Sequence, residues 1–259
     1  MAAGQNNYVL GKGKVYFGRY DSNKNLIGGE RFIGNCPEFN LTASSDKLDH
    51  FSSTGGLKTK DASVTLQVNR SGGFTSDNID RDNLALFFTG EKSTVNQAVG
   101  TALTTDIRGQ KDAYFQAGAT AGNPTGDRNI TNVTLKLKAA PMTIVAAGDY
   151  TVDAAMGRIY IKDTTTIVEG TEYTITYDRP LATRGRVISK SQSIYGCARF
   201  IADNPTGENN DYFLPYVELS PDGDYNLISD DWTTIGFTME ALKLNDSTEA
   251  IYIDGRPAD

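Results

Sequence analysis

Alternation with a period of two runs through most of this chain, and it restricts the fold more than any other feature. In Asp61–Arg70, Val64, Leu66 and Val68 alternate with Thr65, Gln67 and Asn69. That pattern predicts a strand with an apolar core face and a polar, uncharged face. Glu38, Asn40 and Thr42 alternate with Pro37, Phe39 and Leu41, and Ile235, Phe237 and Met239 with Thr234, Thr238 and Glu240. Val217 and Leu219 flank Glu218, and Ile251–Ile253 reads as a last short strand. Turn signals punctuate the runs at Ser22–Asn25, Thr54–Gly56, Ser71–Gly73, Pro221–Gly223 and Asp254–Gly255. The expectation is an all-β fold.

One segment breaks the pattern. Asp77–Thr89 carries Leu84, Phe87 and Phe88 at helical spacing, with Ser76 or Asp77 available as a cap and Gly90 as a stop. It predicts a single amphipathic helix flanking the β core. Residues 96–129 are rich in small and polar side chains. Four short strands then follow at Thr143–Val145, Asp149–Asp153, Gly157–Ile161 and Glu172–Tyr177. We read 1–99 with 184–259 as a discontinuous core domain, and 100–183 as an inserted β-rich module.

Composition narrows the function. Among 259 residues, 25 Lys+Arg against 32 Asp+Glu leave a net charge of −7, and there is one His. A His-rich metal site and tight non-specific nucleic-acid binding are both disfavoured. Nine acids and no Lys or Arg fall between Phe200 and Leu242. Lys47, Lys58 and Lys60 in the Gly/Ser-rich segment 44–60 form a basic counterpart. No apolar run is long enough for a membrane helix. The first residues lack a signal-peptide pattern, so Cys36 and Cys197 are expected to be free thiols.

Two segments imitate functional motifs without meeting their requirements. Asp49, His50, Ser52 and Ser53 hold the ingredients of a serine site but are adjacent in one expected loop, with no nucleophile elbow. Asp21–Asn25 imitates a calcium loop, yet Leu26 stands where its Gly belongs and Phe32 where its Glu belongs. No enzymatic, metal or cofactor signal survives.

Several ordered segments carry a resemblance to a known family. They are Gly13–Gly18, Gly34–Phe39, Lys47–Ser53 with Gly55 and Gly56, Asp82–Phe87, Arg199–Pro205, Pro215–Val217 and Glu249–Gly255. Together they resemble the major tail tube proteins of long, non-contractile-tailed bacteriophages. The middle, with Asp149–Asp153 and Gly157–Ile161, is similar to Ig-like modules on some phage tail proteins.

The resemblance implies a β-sandwich or half-barrel with one helix, assembling as hexameric rings stacked head to tail into a virion tube. The partners implied are further copies of the chain and other tail proteins (tape measure, terminators, tail tip). Double-stranded DNA passes through unbound, and assembly takes place in the host cytoplasm.

A passage for DNA needs a wall with no cations to grip phosphate. The positions expected to line it are Glu38, Asn40, Thr42, Thr65, Gln67, Asn69, Thr238 and Glu240. An inter-subunit loop is expected at Lys47, Asp49, His50, Phe51, Ser52, Ser53, Lys58 and Lys60. The competing reading is an extracellular carbohydrate-binding or adhesin-like β-protein using Tyr20, Tyr114, Tyr150, Tyr160, Tyr212 and Tyr225.

Overall fold

A computed structural model describes residues 6–163 and 166–256. The chain is mostly β-sheet, 52% strand and 4% helix, with one α-helix among the described residues. In chain order the first elements are β1 (Gly13–Arg19), β2 (Arg31–Phe32), β3 (Glu38–Ser52), β4 (Thr59–Ser76) and α1 (Arg81–Phe87). Next come β5 (Glu91–Gln97), β6 (Gly100–Arg108), β7 (Ala113–Gln116), β8 (Thr131–Leu137), β9 (Tyr150–Asp153) and β10 (Arg158–Ile161). The last are β11 (Glu172–Arg179), β12 (Ala182–Ile188), β13 (Ile194–Ala202), β14 (Asn210–Asp222), β15 (Ile235–Ala241) and β16 (Tyr252–Gly255).

The residues divide into two compact units, one reaching Ser93 and resuming at Val187, the other Thr94–Arg186. The first is built on an eight-stranded antiparallel sheet ordered β2-β1-β13-β14-β15-β4-β3, with β16 paired to β14. Three strands separate β13 from β3 in this order, yet Phe200 and Phe39 stack at 5.2 Å. The sheet therefore curls around its own apolar face. Phe74 and Phe237 stack inside the curl at 4.8 Å, and Leu86 and Phe87 of α1 are buried in the same core.

The helix is shorter than the sequence predicts. Asp80, not Ser76 or Asp77, is its cap and accepts from the Asn83 backbone N–H at 2.7 Å. Ser76 is buried and accepts instead from the Asn78 N–H. The expected turn at Ser71–Gly73 lies inside β4. A Cβ on Gly72 would sit 2.4 Å from the Asn40 carbonyl oxygen, so glycine here lets β3 pass close by.

The second unit holds two three-stranded sheets, β7-β10-β9 and β6-β11-β8, and both contribute to one core that includes Leu135, Ile159, Ile161, Tyr173 and Ile175. Strands β6 and β7 occupy part of the segment 96–129 where no strand was expected. Thr143–Val145 makes only a single bridge, Ile144 to Lys136. β5 and β12 pair as a separate two-stranded ribbon.

Candidate functional site: an acidic sheet face and a projecting hairpin

Strand register builds one polar face from three rows that cross four strands. Glu38, Thr75, Gly236 and Asp222 form the first row, Asn40, Gly73, Thr238 and Ser220 the second, Thr42, Ser71, Glu240 and Glu218 the third. Ser44 beside Asn69 and Asp46 beside Gln67 extend it along β3 and β4. The reverse side of the same strands carries Phe39, Phe74 and Phe237, which belong to the core. Alternation thus fixes which side meets water.

The polar face is strongly one-signed. Its charged positions are Glu38, Asp46, Glu218, Asp222 and Glu240, and no Lys or Arg occupies any of the rows. Glu218 and Glu240 stand directly opposite each other, a like-charge pairing that works against sheet stability. Side-chain amides tie neighbours along the strands. Asn40 Nδ2 donates to Glu38 Oε1 at 3.2 Å, and Gln67 Nε2 to Asn69 Oδ1 at 2.5 Å.

Seven of the eight expected wall positions meet on this face, and Thr65 does not. A register shift between Asp46 and Lys47 leaves Leu66 as an extra residue on β4. One inserted residue reverses the alternation beyond it. Thr65 therefore pairs with Lys47 on the opposite side, while Val64 pairs with Leu48 on the side of the acidic rows.

The segment expected to be a loop is a β-hairpin. Lys47, Asp49, His50, Phe51 and Ser52 lie in β3, Lys60 lies in β4, and only Ser53–Lys58 turns between them. Val64, Leu66 and Val68, expected in the core, are 60%, 65% and 51% exposed. Among the described residues no strand but β3 pairs with this part of β4, because β15 reaches only from Ser71 to Ser76. Leu48, Phe51 and Leu57 are exposed as well. The result is an arm whose apolar side chains are about half or more exposed among the described residues, and β3 is an edge strand of the sheet along its whole length.

The arm is internally braced. Asp49 accepts from Lys60 at 2.6 Å and from Ser63 Oγ at 2.7 Å, and these bonds hold its carboxyl below the usual carboxylate range. His50 Nδ1 lies 2.5 Å from Asp61, and Ser52 Oγ lies 3.0 Å from Thr54 Oγ1. Asp49, His50 and Ser52 thus have separate partners and form no relay. Register sets Lys47 and Lys60 on the side of β3 opposite the acidic rows.

Other expected sites have plain structural roles. Asp21 accepts from the Asn23 and Asn25 backbone N–H groups at 2.8 and 2.9 Å, closing a turn. The backbone bond from Asn25 is the main reason its pKa is lowered. Cys36 and Cys197 are free thiols, and burial pushes them up, Cys36 to about 11. Of the tyrosines of the carbohydrate reading, Tyr150 is in the second core, Tyr225 packs on Phe87 and Phe88, Tyr20 donates to the Pro215 carbonyl, and Tyr114 and Tyr160 pair across strands at 4.8 Å.

Sequence reasoning missed Glu218, Ser220 and Asp222 as members of the face. It also missed the exposed loop side chains Leu227, Ile228 and Trp232. Alternation through Val217 and Leu219 could have found the first group.

A family model described as "Protein of unknown function UCP028589" matches residues 8–252. No curated protein matches the chain.

Proposed function

The chain belongs to the UCP028589 family, and from that premise and the sheet geometry we propose that it is a structural virion protein, the tail tube subunit of a long, non-contractile bacteriophage tail. The observation that carries this reading is the acidic face, with five carboxylates and no cation across four strands. Copies arranged in a ring with this face inward would present DNA with a wetted, negative wall. Each cation absent from that wall is a counterion-releasing phosphate contact that cannot form. Six subunits per ring and head-to-tail stacking belong to the same reading. So does a curled sheet whose open β3 edge is covered by a neighbouring subunit, which removes an aggregation-prone edge.

The hairpin arm supplies the subunit contact. Its Val64, Leu66 and Val68, each half or more exposed, would contribute about 1–2 kcal/mol apiece when the remaining area is buried against a neighbour. A polymer of identical subunits provides such a neighbour at every position.

Electron microscopy of the purified protein tests the proposal directly. Hollow filaments of stacked rings are the expected outcome. Solid rods, or monomers that bind sugar, would overturn it. In intact virions, Glu38→Lys and Glu240→Lys should leave tubes assembled while genome transfer falls; unchanged transfer removes the face from the wall. Deleting residues 52–58 should yield a folded monomer that makes no tubes, and efficient tubes from it would remove the tip of the arm from the contact.

A further inference from the structure

In the Thr94–Arg186 unit, three guanidinium groups crowd one loop. Arg184 Nη2 donates to Asn123 Oδ1, Thr125 Oγ1 and the Gly126 carbonyl at 3.3, 3.2 and 2.7 Å. Arg186 Nη2 donates to the same Asn123 Oδ1 and Thr125 Oγ1 at 2.9 and 2.8 Å. Arg128 Nη1 donates to the Thr125, Asp127 and Met156 carbonyls at 2.6, 3.1 and 3.0 Å.

Every one of these acceptors is neutral. The carboxylate at the loop, Asp127, is buried and engaged by Arg179 at 2.7 Å and by the Tyr177 hydroxyl at 2.8 Å. Among the described residues Arg128, Arg184 and Arg186 make no ion pair. Burial, and then the charges of Arg128 and Arg186, hold Arg184 below the usual arginine value. Among the described residues the Nε and Nη1 groups of Arg184 and Arg186 make no hydrogen bond, so each guanidinium keeps donors for a carboxylate beside the neutral acceptors on its Nη2.

The same chain carries the complement. The connection from β14 to β15 holds Asp224, Asp230 and Asp231, none in an ion pair among the described residues. Beside them Ile228 and Trp232 are 98% and 95% exposed. Acids and apolar side chains left together in water mark a surface that another molecule covers.

We propose that Arg128, Arg184 and Arg186 receive the carboxylates of the Asp224–Trp232 loop of a second copy. The contact joins two different patches, so it is heterologous and propagates. It rests on the reading of the chain as a self-assembling subunit and names one of the contacts.

Charge reversal in the full chain tests it by sedimentation at low salt. Arg184→Glu with Arg186→Glu should weaken self-association at least tenfold, as should Asp230→Arg with Asp231→Arg. An equimolar mixture of the two variants should recover it, because each now offers the other's missing sign. Circular dichroism confirms that both variants are folded. Unchanged association in either variant, or no recovery on mixing, overturns the proposal. So does saturable binding of inorganic phosphate at the arginines with association untouched. Imaging separates the two readings: hollow filaments in both variants sink this contact alone, whereas salt-sensitive pairing without hollow filaments sinks the tube alone.

Discussion

Asn83 shows how a single buried amide organises the helix and the strands beneath it. Fully buried, it donates to the Ile33 carbonyl at 2.8 Å and the Asn78 carbonyl at 2.7 Å, while Arg31 donates to its oxygen. Replacing it by alanine removes three hydrogen bonds and leaves the Asn78 carbonyl without this donor, while the Ile33 carbonyl keeps Asn78 Nδ2 at 3.2 Å and Arg31 keeps Asp80. An unsatisfied buried group costs about 1–3 kcal/mol, so Asn83→Ala should lose roughly 3 kcal/mol of stability in urea titration. A loss under about 1 kcal/mol would mean that water replaces the amide. The sequence marked Leu84, Phe87 and Phe88 as the helix's packing face. It offered no sign that its neighbour Asn83 points inward, because an amide at that spacing reads as surface until its partners are known.

At the scale of elements, the hairpin of β3 and β4 is where alternation misled. The pattern Val64-x-Leu66-x-Val68 is that of a half-buried strand, and a strand is what forms. Burial needs a second layer, and the described residues of the first unit supply none there. The extra Leu66 then splits the stripe between two faces, which periodicity alone cannot reveal. The arm's own bracing is pH-dependent. The Asp49 carboxyl is held low by Lys60 and Ser63, so its stabilisation is complete above the ordinary carboxylate pKa of 3.8 and is lost as pH falls through the lower folded value. Protection factors of the amides across Asp49–Ser63 should fall below about pH 4 before those of the curled core do. Equal protection of the arm in Asp49→Asn and the parent chain at neutral pH would show that the bridge does not hold it.

At the scale of the whole molecule, two units with separate apolar cores make separate claims on stability. Calorimetry of the full chain should therefore show two unfolding transitions, and replacing 96–182 by a short flexible linker should abolish one and preserve the other. A single transition lost entirely on that replacement would make the cores one cooperative system. The paired β5 and β12 give such a linker a short gap to close.

Local patterning by itself determined that this chain is a β-protein with one helix, since side-chain periodicity and turn residues act over a few positions. It also determined that Glu38, Asn40, Thr42, Thr238 and Glu240 lie on polar faces. Only tertiary structure decided that those faces join into one surface, that Glu218 and Asp222 complete it, and that three apolar strand residues are left without cover. Those outcomes depend on which strands pair, in which register, and where a layer is missing, and such relations link positions far apart in the chain.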